Sequence, residues 1–78
     1  MIKIFYYLNK NIRFLRKQSG LTIPKLAELL GLKKSSLDGI ECGQNNTSLE
    51  VLDKLHNVFH ISLDDLVYKD LSKGENNI

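Results

Sequence analysis

Three glycines, Gly20, Gly31 and Gly43, divide the first half of this 78-residue chain into short segments. The segments 9–18 and 23–30, and the one that begins at residue 33 or 34, carry apolar residues three and four apart. That spacing is the period of one helical face, and glycine is favoured just beyond a helix end. The pattern therefore predicts three short helices in the first half of the chain.

The connection between the second and third predicted helices is very short. Only residues 31–33 separate them, which is typical of a helix-turn-helix. Thr22 can cap the second helix, and Pro24 is tolerated in a first turn because the amides there lack an internal partner. We expect the helix-turn-helix near residues 22–42, with Leu26, Ala27, Leu30, Leu37 and Ile40 facing inward.

The second half contains two patterns that favour helix starts. Thr47 with Glu50 resembles a capping box, and Ser62 with Asp65 repeats the spacing. An apolar stripe follows the first cap and includes Leu49, Leu52, Leu55 and Phe59; the second precedes Leu63, Leu66 and Val67. The chain is therefore predicted to be all-α, with five helices in one compact domain over residues 8–70.

The two ends lie outside this pattern. Residues 1–7 form an N-terminal extension whose IKIFYY run suits a short strand or an extra helical turn, and is a possible dimer element. Residues 71–78 carry no apolar period and are predicted to be a flexible tail.

Charge is unevenly distributed along the chain. Residues 1–43 carry eight basic and three acidic side chains, whereas residues 44–78 carry three basic and six acidic ones. A basic half beside an acidic half indicates one surface suited to a polyanion. The first half is therefore where a nucleic-acid contact is expected.

Several other function classes lack support. The apolar stretch Ile4 to Leu8 is too short to span a bilayer and no secretory pattern precedes it, so a cytoplasmic protein without a membrane partner is expected. No carboxylate pair, nucleophile with a base or phosphate loop is recognisable, so neither an enzyme nor a cofactor is expected. His56 and His60 lie four residues apart, but no third metal ligand is evident. Cys42 is expected to be a small half-buried side chain rather than a redox sensor.

The run IRFLRKQSGLTIPKLAELLGLKKSSLDGIECGQNNTSLEVLDKLHNVFHISLDDL resembles the lambda-repressor-like helix-turn-helix family, also called Xre or Cro-like. The resemblance covers about residues 8–68. The matching elements occur in order and with the family's spacing: Leu15-Arg16, Gly20-Leu21-Thr22, Leu26-Ala27, Leu30-Gly31, Ile40-Glu41 with Gly43, Ser48-Leu49 with Leu52, and residues 61–66.

The resemblance implies that the third helix enters the major groove of double-stranded DNA, which is wide enough to admit a helix. The positions that it assigns to base contacts are Lys34, Ser35, Ser36, Asp38 and Gly39. Lys34 can donate to guanine or to phosphate, and Asp38 can accept from a cytosine amino group. Gly39 offers no side chain where the family usually has one.

The resemblance also implies a set of phosphate contacts: Thr22, Ile23, Lys25, Lys33 and Asn46. The family often has a glutamine where this chain has Ile23, so only the amides there could serve, because helix N-termini attract anions. Arg16 and Glu41 match a partly buried ion pair that joins the first helix to the end of the third. Its expected role is structural.

The implied function is that of a small transcriptional regulator, a repressor, acting as a homodimer on a palindromic operator. Recognition helices would lie about 34 Å apart, one turn of DNA. The dimer candidates are Leu66, Val67 and Tyr68, with the IKIFYY run. Because no effector domain follows, phage repressors, restriction-modification controllers and antitoxins are all similar, and a protein partner or antirepressor is possible. The alternative is a protein-interaction module with the same fold and little DNA reading.

Overall fold

A computed structural model describes residues 7–73, and all regular structure within that range is helical. The five helices are α1 (Leu8–Gln18), α2 (Ile23–Leu30), α3 (Lys34–Glu41), α4 (Leu49–Phe59) and α5 (Leu63–Tyr68), followed by a 3-10 turn, Leu71–Lys73. The prediction of an all-α, five-helix domain is confirmed. Apart from Tyr7, the predicted N-terminal extension lies outside the described residues. No helix between residues 7 and 73 has the length and apolarity needed to cross a membrane.

The ends of α2 follow directly from the sequence. The Thr22 hydroxyl accepts a hydrogen bond from the Lys25 amide at 3.2 Å, and Pro24 occupies the first turn. Gly31 ends the helix in the left-handed conformation, with a φ of 70°. A side chain would be strained at that φ, so glycine permits the abrupt turn into α3.

The predicted start of α4 is wrong by one residue. Ser48, not Thr47, is the N-cap, and its hydroxyl accepts from the Val51 amide at 3.2 Å. The Thr47 hydroxyl is buried and has no hydrogen-bond partner within residues 7–73. Because the helix begins one position later, Leu49 lies in its first turn and is 84% exposed, so Leu49 does not belong to the core. The second cap is confirmed, since Ser62 accepts from the Asp65 amide at 3.1 Å.

One apolar core joins all five helices. The inward residues predicted for α2 and α3 are each at most 3% exposed, and they pack with Leu8 and Ile12 of α1. The rest of this cluster comes from α4 and α5: Val51, Leu52, Leu55 and Leu66. The two helices of the helix-turn-helix are thus braced on α1 and α4, which fixes the direction in which α3 presents its outer face.

Two of the three dimer candidates lie inside the protomer. Leu66 is fully buried in the core and Val67 is only 7% exposed, so neither offers a surface to a second copy. Their apolar spacing reflects the packing of α5 on its own domain. Tyr68 is 66% exposed and is the one of the three that can contact a partner.

The first residues of the predicted tail are held against α1. The Leu71 amide donates to Asn11 Oδ1 at 3.0 Å, and Lys10 Nζ lies 3.0 Å from the Asp70 carboxylate. The Ser72 hydroxyl and the Lys10 ammonium both donate to Asp70 and lower the pKa of its carboxyl. Residues 71–73 are therefore an ordered turn rather than a frayed end, and residues 74–78 lie outside the described part. The proposed division into extension, domain and tail otherwise stays a prediction.

Candidate nucleic-acid interface

The outer face of α3 carries polar side chains and no core residue. Lys34, Ser35 and Asp38 are exposed and Ser36 is half-buried, whereas Leu37 and Ile40 point inward. An α-helix with its side chains is about 10–12 Å across, close to the width of the major groove, which is about 12 Å. Four of the five predicted base-contact positions are thus brought together on an accessible surface.

The fifth position, Gly39, is not accessible. Gly39 is buried because the side chain of Asn45 lies across it. A Cβ added to Gly39 would overlap the Asn45 amide nitrogen and come 2.8 Å from Asn45 Cγ. Gly39 therefore cannot itself contact a base, and its assignment as a base-contact candidate is wrong.

In the loop after α3, the sequence predicts a DNA contact only for Asn46, and Asn46 is exposed. The structure adds Asn45, whose Nδ2 donates to the Ser36 carbonyl at 3.3 Å. The amides of Gln44 and Asn45 both donate to the Gly39 carbonyl, at 2.8 and 3.2 Å, which folds the loop back over the end of α3. The absence of a side chain at Gly39 was the only sequence signal for this approach.

The start of α2 lies beside α3 and carries both exposed polar residues and a half-buried apolar one. Thr22 and Lys25 are exposed, and Lys25 Nζ lies 3.7 Å from the Glu28 carboxylate. The Lys25 amide already donates to the Thr22 hydroxyl, so this amide is not available to a phosphate. Ile23 is half-buried and packs against the core. Lys33, the N-cap of α3, is exposed and has no side-chain cap hydrogen bond.

A groove of about 150 Å³ separates the start of α2 from α3 and is lined by Arg13, Arg16, Ile23, Asp38, Glu41 and Cys42. Arg13 is exposed and also lines the neighbouring groove, with Lys10 and Gly43. The sequence prediction missed Arg13 because it lies on α1, although it precedes Arg16 by one turn. Cys42 is exposed at this groove, which corrects the expectation that it is half-buried.

Arg16 and Glu41 form the ion pair that the resemblance implied. Arg16 Nε donates to Glu41 Oε2 at 2.8 Å, and Nη2 donates to Oε1 at 3.2 Å. The two side chains are only 10% and 4% exposed. Arg16 Nη1 also donates to the Leu21 carbonyl at 2.8 Å, so one guanidinium joins α1, the turn before α2 and the last residue of α3.

Of the two histidines that the sequence places four residues apart, His56 lies in α4 and His60 is the C-cap of that helix. Within residues 7–73, no three histidine, cysteine, aspartate or glutamate side chains lie close enough to hold a metal ion. His56 Nδ1 instead lies 2.7 Å from the Ile61 carbonyl oxygen, at the turn that follows α4.

Comparisons with known proteins agree with this geometry. A family model described as Helix-turn-helix matches residues 12–66. Antitoxin PezA of Streptococcus pneumoniae is 35% identical over 63 residues, covering 81% of this chain and 40% of that protein. The HTH-type transcriptional regulator AnsR of Bacillus subtilis is 36% identical over 59 residues, covering 76% and 51%.

The chain therefore spans about half, or less, of the length of these two curated relatives. A crystal structure of a transcriptional regulator from Listeria innocua superposes with a TM-score of 0.74 at 30% identity, covering 85% of this chain and 67% of that one. The family match covers most of the chain and the fold agrees with it. The chain belongs to the lambda-repressor-like (Xre or Cro-like) helix-turn-helix family.

Proposed function

We propose that this protein binds double-stranded DNA in a sequence-specific manner and acts as a small transcriptional regulator. The observation that carries the proposal is the outer face of α3, where Lys34, Ser35 and Asp38 are exposed while Leu37 and Ile40 anchor the helix from behind. A short polar helix supported in this way can enter the major groove without loss of the core.

Phosphate contacts on both sides of α3 would set its orientation. The proposed set is Thr22, the backbone at Ile23, the side chain of Lys25, Lys33 and Asn46, with Arg13 added from α1. Such contacts fix the register of a protein on DNA but carry no base information, and they make the affinity depend on salt. We therefore expect specificity from the α3 face and most of the affinity from its surroundings.

The regulator is proposed to act as a homodimer on a palindromic operator, in the cytoplasm, and to repress by occupying that operator. Two copies related by a two-fold axis would place two α3 helices about 34 Å apart, matching successive major grooves. Of the three candidates on α5, Tyr68 is the one left for the dimer surface, since this residue is 66% exposed. A helix end with an exposed aromatic ring is suited to self-association.

The replacement Lys34→Ala tests the role of α3. Operator affinity is expected to fall roughly 5- to 150-fold if Lys34 pairs with a base, with relaxed preference at that position. If Lys34 contacts phosphate, affinity falls for all sequences and the slope of log K against log salt decreases by about 1. Fluorescence anisotropy with labelled duplexes from the DNA upstream of the coding sequence, at several salt concentrations, measures both.

The matched control is Lys73→Ala, which removes the same charge from the exposed C-terminal turn. It should leave affinity nearly unchanged, because the 3-10 turn that carries Lys73 packs on α1 and supplies none of the proposed DNA contacts. Unchanged binding by Lys34→Ala would remove that residue from the interface. Absent or salt-insensitive binding by the wild-type protein would contradict the proposed function itself.

The replacement Tyr68→Glu tests the homodimer. A charge at the centre of a self-associating surface faces its own copy across the two-fold axis, so the variant is expected to be monomeric at concentrations where the wild type is dimeric. Sedimentation equilibrium measures this. The control Leu49→Glu adds the same charge at an apolar side chain that is 84% exposed on α4 and should leave the dimer intact. A wild-type protein that stays monomeric at high concentration would contradict the homodimer.

A second candidate function is a protein-interaction module, such as an antitoxin or a partner of an antirepressor. The observations that favour it are the similarity to an antitoxin and the two departures at α2 and α3, Ile23 and Gly39. Under this alternative the fold is kept while DNA reading is weak. The salt-dependent binding experiment above separates the two functions, because a protein-interaction module should bind operator DNA weakly or not at all.

A further inference from the structure

The outer face of α3 has no side chain at Gly39, and a residue from outside the helix occupies that place. Gly39 lies four residues after Ser35 and three after Ser36, so all three belong to one face of α3. A side chain at that position would be one turn farther along the surface that carries Lys34 and Ser35. Glycine leaves this part of the face without a side chain that could contact a base.

Asn45 occupies the space that a side chain at position 39 would need. Its amide nitrogen and Cγ both lie within the van der Waals distance of a Cβ built on Gly39. The loop is fixed there by three hydrogen bonds to α3: those of the Gln44 and Asn45 amides to the Gly39 carbonyl, and that of Asn45 Nδ2 to the Ser36 carbonyl. Asn45 nevertheless remains exposed to solvent.

We propose that Asn45 supplies, from the loop after α3, the base-reading side chain that the helix lacks at Gly39. This inference rests on the proposed DNA-binding function. One Nδ2 hydrogen is directed to Ser36, which leaves the second hydrogen and Oδ1 available; Oδ1 has no partner among the described residues. A carboxamide with one free donor and one free acceptor matches adenine, whose N7 accepts and whose N6 donates in the major groove. Asn45 is therefore expected to select adenine.

Gly39 and Asn45 act as one unit in this arrangement. Any Cβ at position 39 would collide with the Asn45 side chain, so even alanine would displace the carboxamide from the α3 face. The glycine leaves the space that the Asn45 carboxamide occupies. Two different substitutions, one on the helix and one on the loop, should therefore affect the same base pair.

The experiment selects duplexes from a randomised DNA library with the wild-type protein and with Asn45→Ala. The wild type should enrich a motif with adenine at one position in each half-site. Asn45→Ala should lose that preference by at least about fivefold, the lower end for a bidentate side chain–base pair, while the other positions keep theirs. The control Asn46→Ala should weaken binding to all sequences alike, as expected for a phosphate contact.

The Gly39→Ala variant is expected to remain folded, because alanine suits a helix interior better than glycine. It should relax the same base position as Asn45→Ala, and the double variant should show no further loss. Thermal unfolding by circular dichroism verifies that each variant is folded.

An Asn45→Ala motif identical to that of the wild type would overturn this inference and leave the proposed function intact. A uniform loss of affinity without any change in motif would also overturn it, because Asn45 would then contact phosphate or merely support the loop. Absence of salt-dependent DNA binding by the wild type would overturn both.

Discussion

Arg16→Ala is expected to lower the free energy of unfolding by about 3–5 kcal/mol, the usual cost of removing one partner from a buried ion pair. The reason is the fate of Glu41, whose side chain is 4% exposed and would be left buried without its partner. The Leu21 carbonyl would lose its donor as well. Glu41→Ala should have a similar effect, because the guanidinium is then the unpaired charge.

This loss is large for a domain of 78 residues. At about 0.05–0.15 kcal/mol per residue, such a chain has a total stability of roughly 4–12 kcal/mol. Urea denaturation followed by circular dichroism should therefore show a much lower midpoint for Arg16→Ala than for the wild type. The double variant Arg16→Met/Glu41→Leu should lose less than either single variant, because no buried charge remains.

The control for Arg16→Ala is the Lys25–Glu28 pair on α2. Its side chains are 58% and 74% exposed and its atoms lie 3.7 Å apart, so Lys25→Ala should cost less than about 1 kcal/mol. A loss below that value for Arg16→Ala would mean that Glu41 finds water or another donor. The pair would then not be the link that holds the end of α3 against α1.

The scaffold could be predicted from the sequence because its signals are local. Gly31 with Thr22 and Pro24 defines α2 within a few residues, and the apolar spacing of Leu37 and Ile40 defines the inner face of α3. The start of α4 was less determined, since Thr47 and Ser48 are both good caps. Only the backbone path decides which hydroxyl meets an amide three residues on, and here it selects Ser48.

The errors at the candidate site have a common cause: sequence spacing gives the face of a helix but not what covers that face. Leu66 and Val67 follow the period of an apolar surface, and the structure packs that surface on the protein's own core rather than exposing it. Gly39 lies on the outer face of α3, yet Asn45 covers it. Both errors concern contacts between residues far apart along the chain or on an irregular loop, which no period encodes.

Asn11 is the other residue whose loss should be severe, because it is a fully buried amide with all its bonds directed at the C-terminal end of the domain. Its Nδ2 donates to the carbonyls of Leu66 at 2.8 Å and Lys69 at 2.6 Å, and its Oδ1 accepts from the Leu71 amide at 3.0 Å. Asn11→Leu keeps the branching and the number of heavy atoms of the side chain but leaves these three backbone groups unpaired. At roughly 1–3 kcal/mol for each buried unpaired group, partly relieved by water at the chain end, we expect a loss of about 2–4 kcal/mol.

Two measurements separate this effect from a general packing defect. Hydrogen exchange of the Leu71 amide should accelerate more than that of core amides such as Leu37, because its acceptor is gone. Asn57→Leu, the same substitution at an exposed position of α4, should change stability by no more than about 0.5 kcal/mol. Slow exchange at Leu71 in Asn11→Leu would show that the turn is held by other contacts.

The same substitution bears on the proposed dimer. Tyr68 lies between Leu66 and Lys69, the two residues whose carbonyls Asn11 fixes, so Asn11 sets the position of the one exposed aromatic ring of α5. Asn11→Leu should therefore weaken self-association even at temperatures where the monomer remains folded. A variant that is destabilised but dimerises with wild-type affinity would place the dimer surface elsewhere on the domain, and would separate the role of Asn11 in folding from any role in assembly.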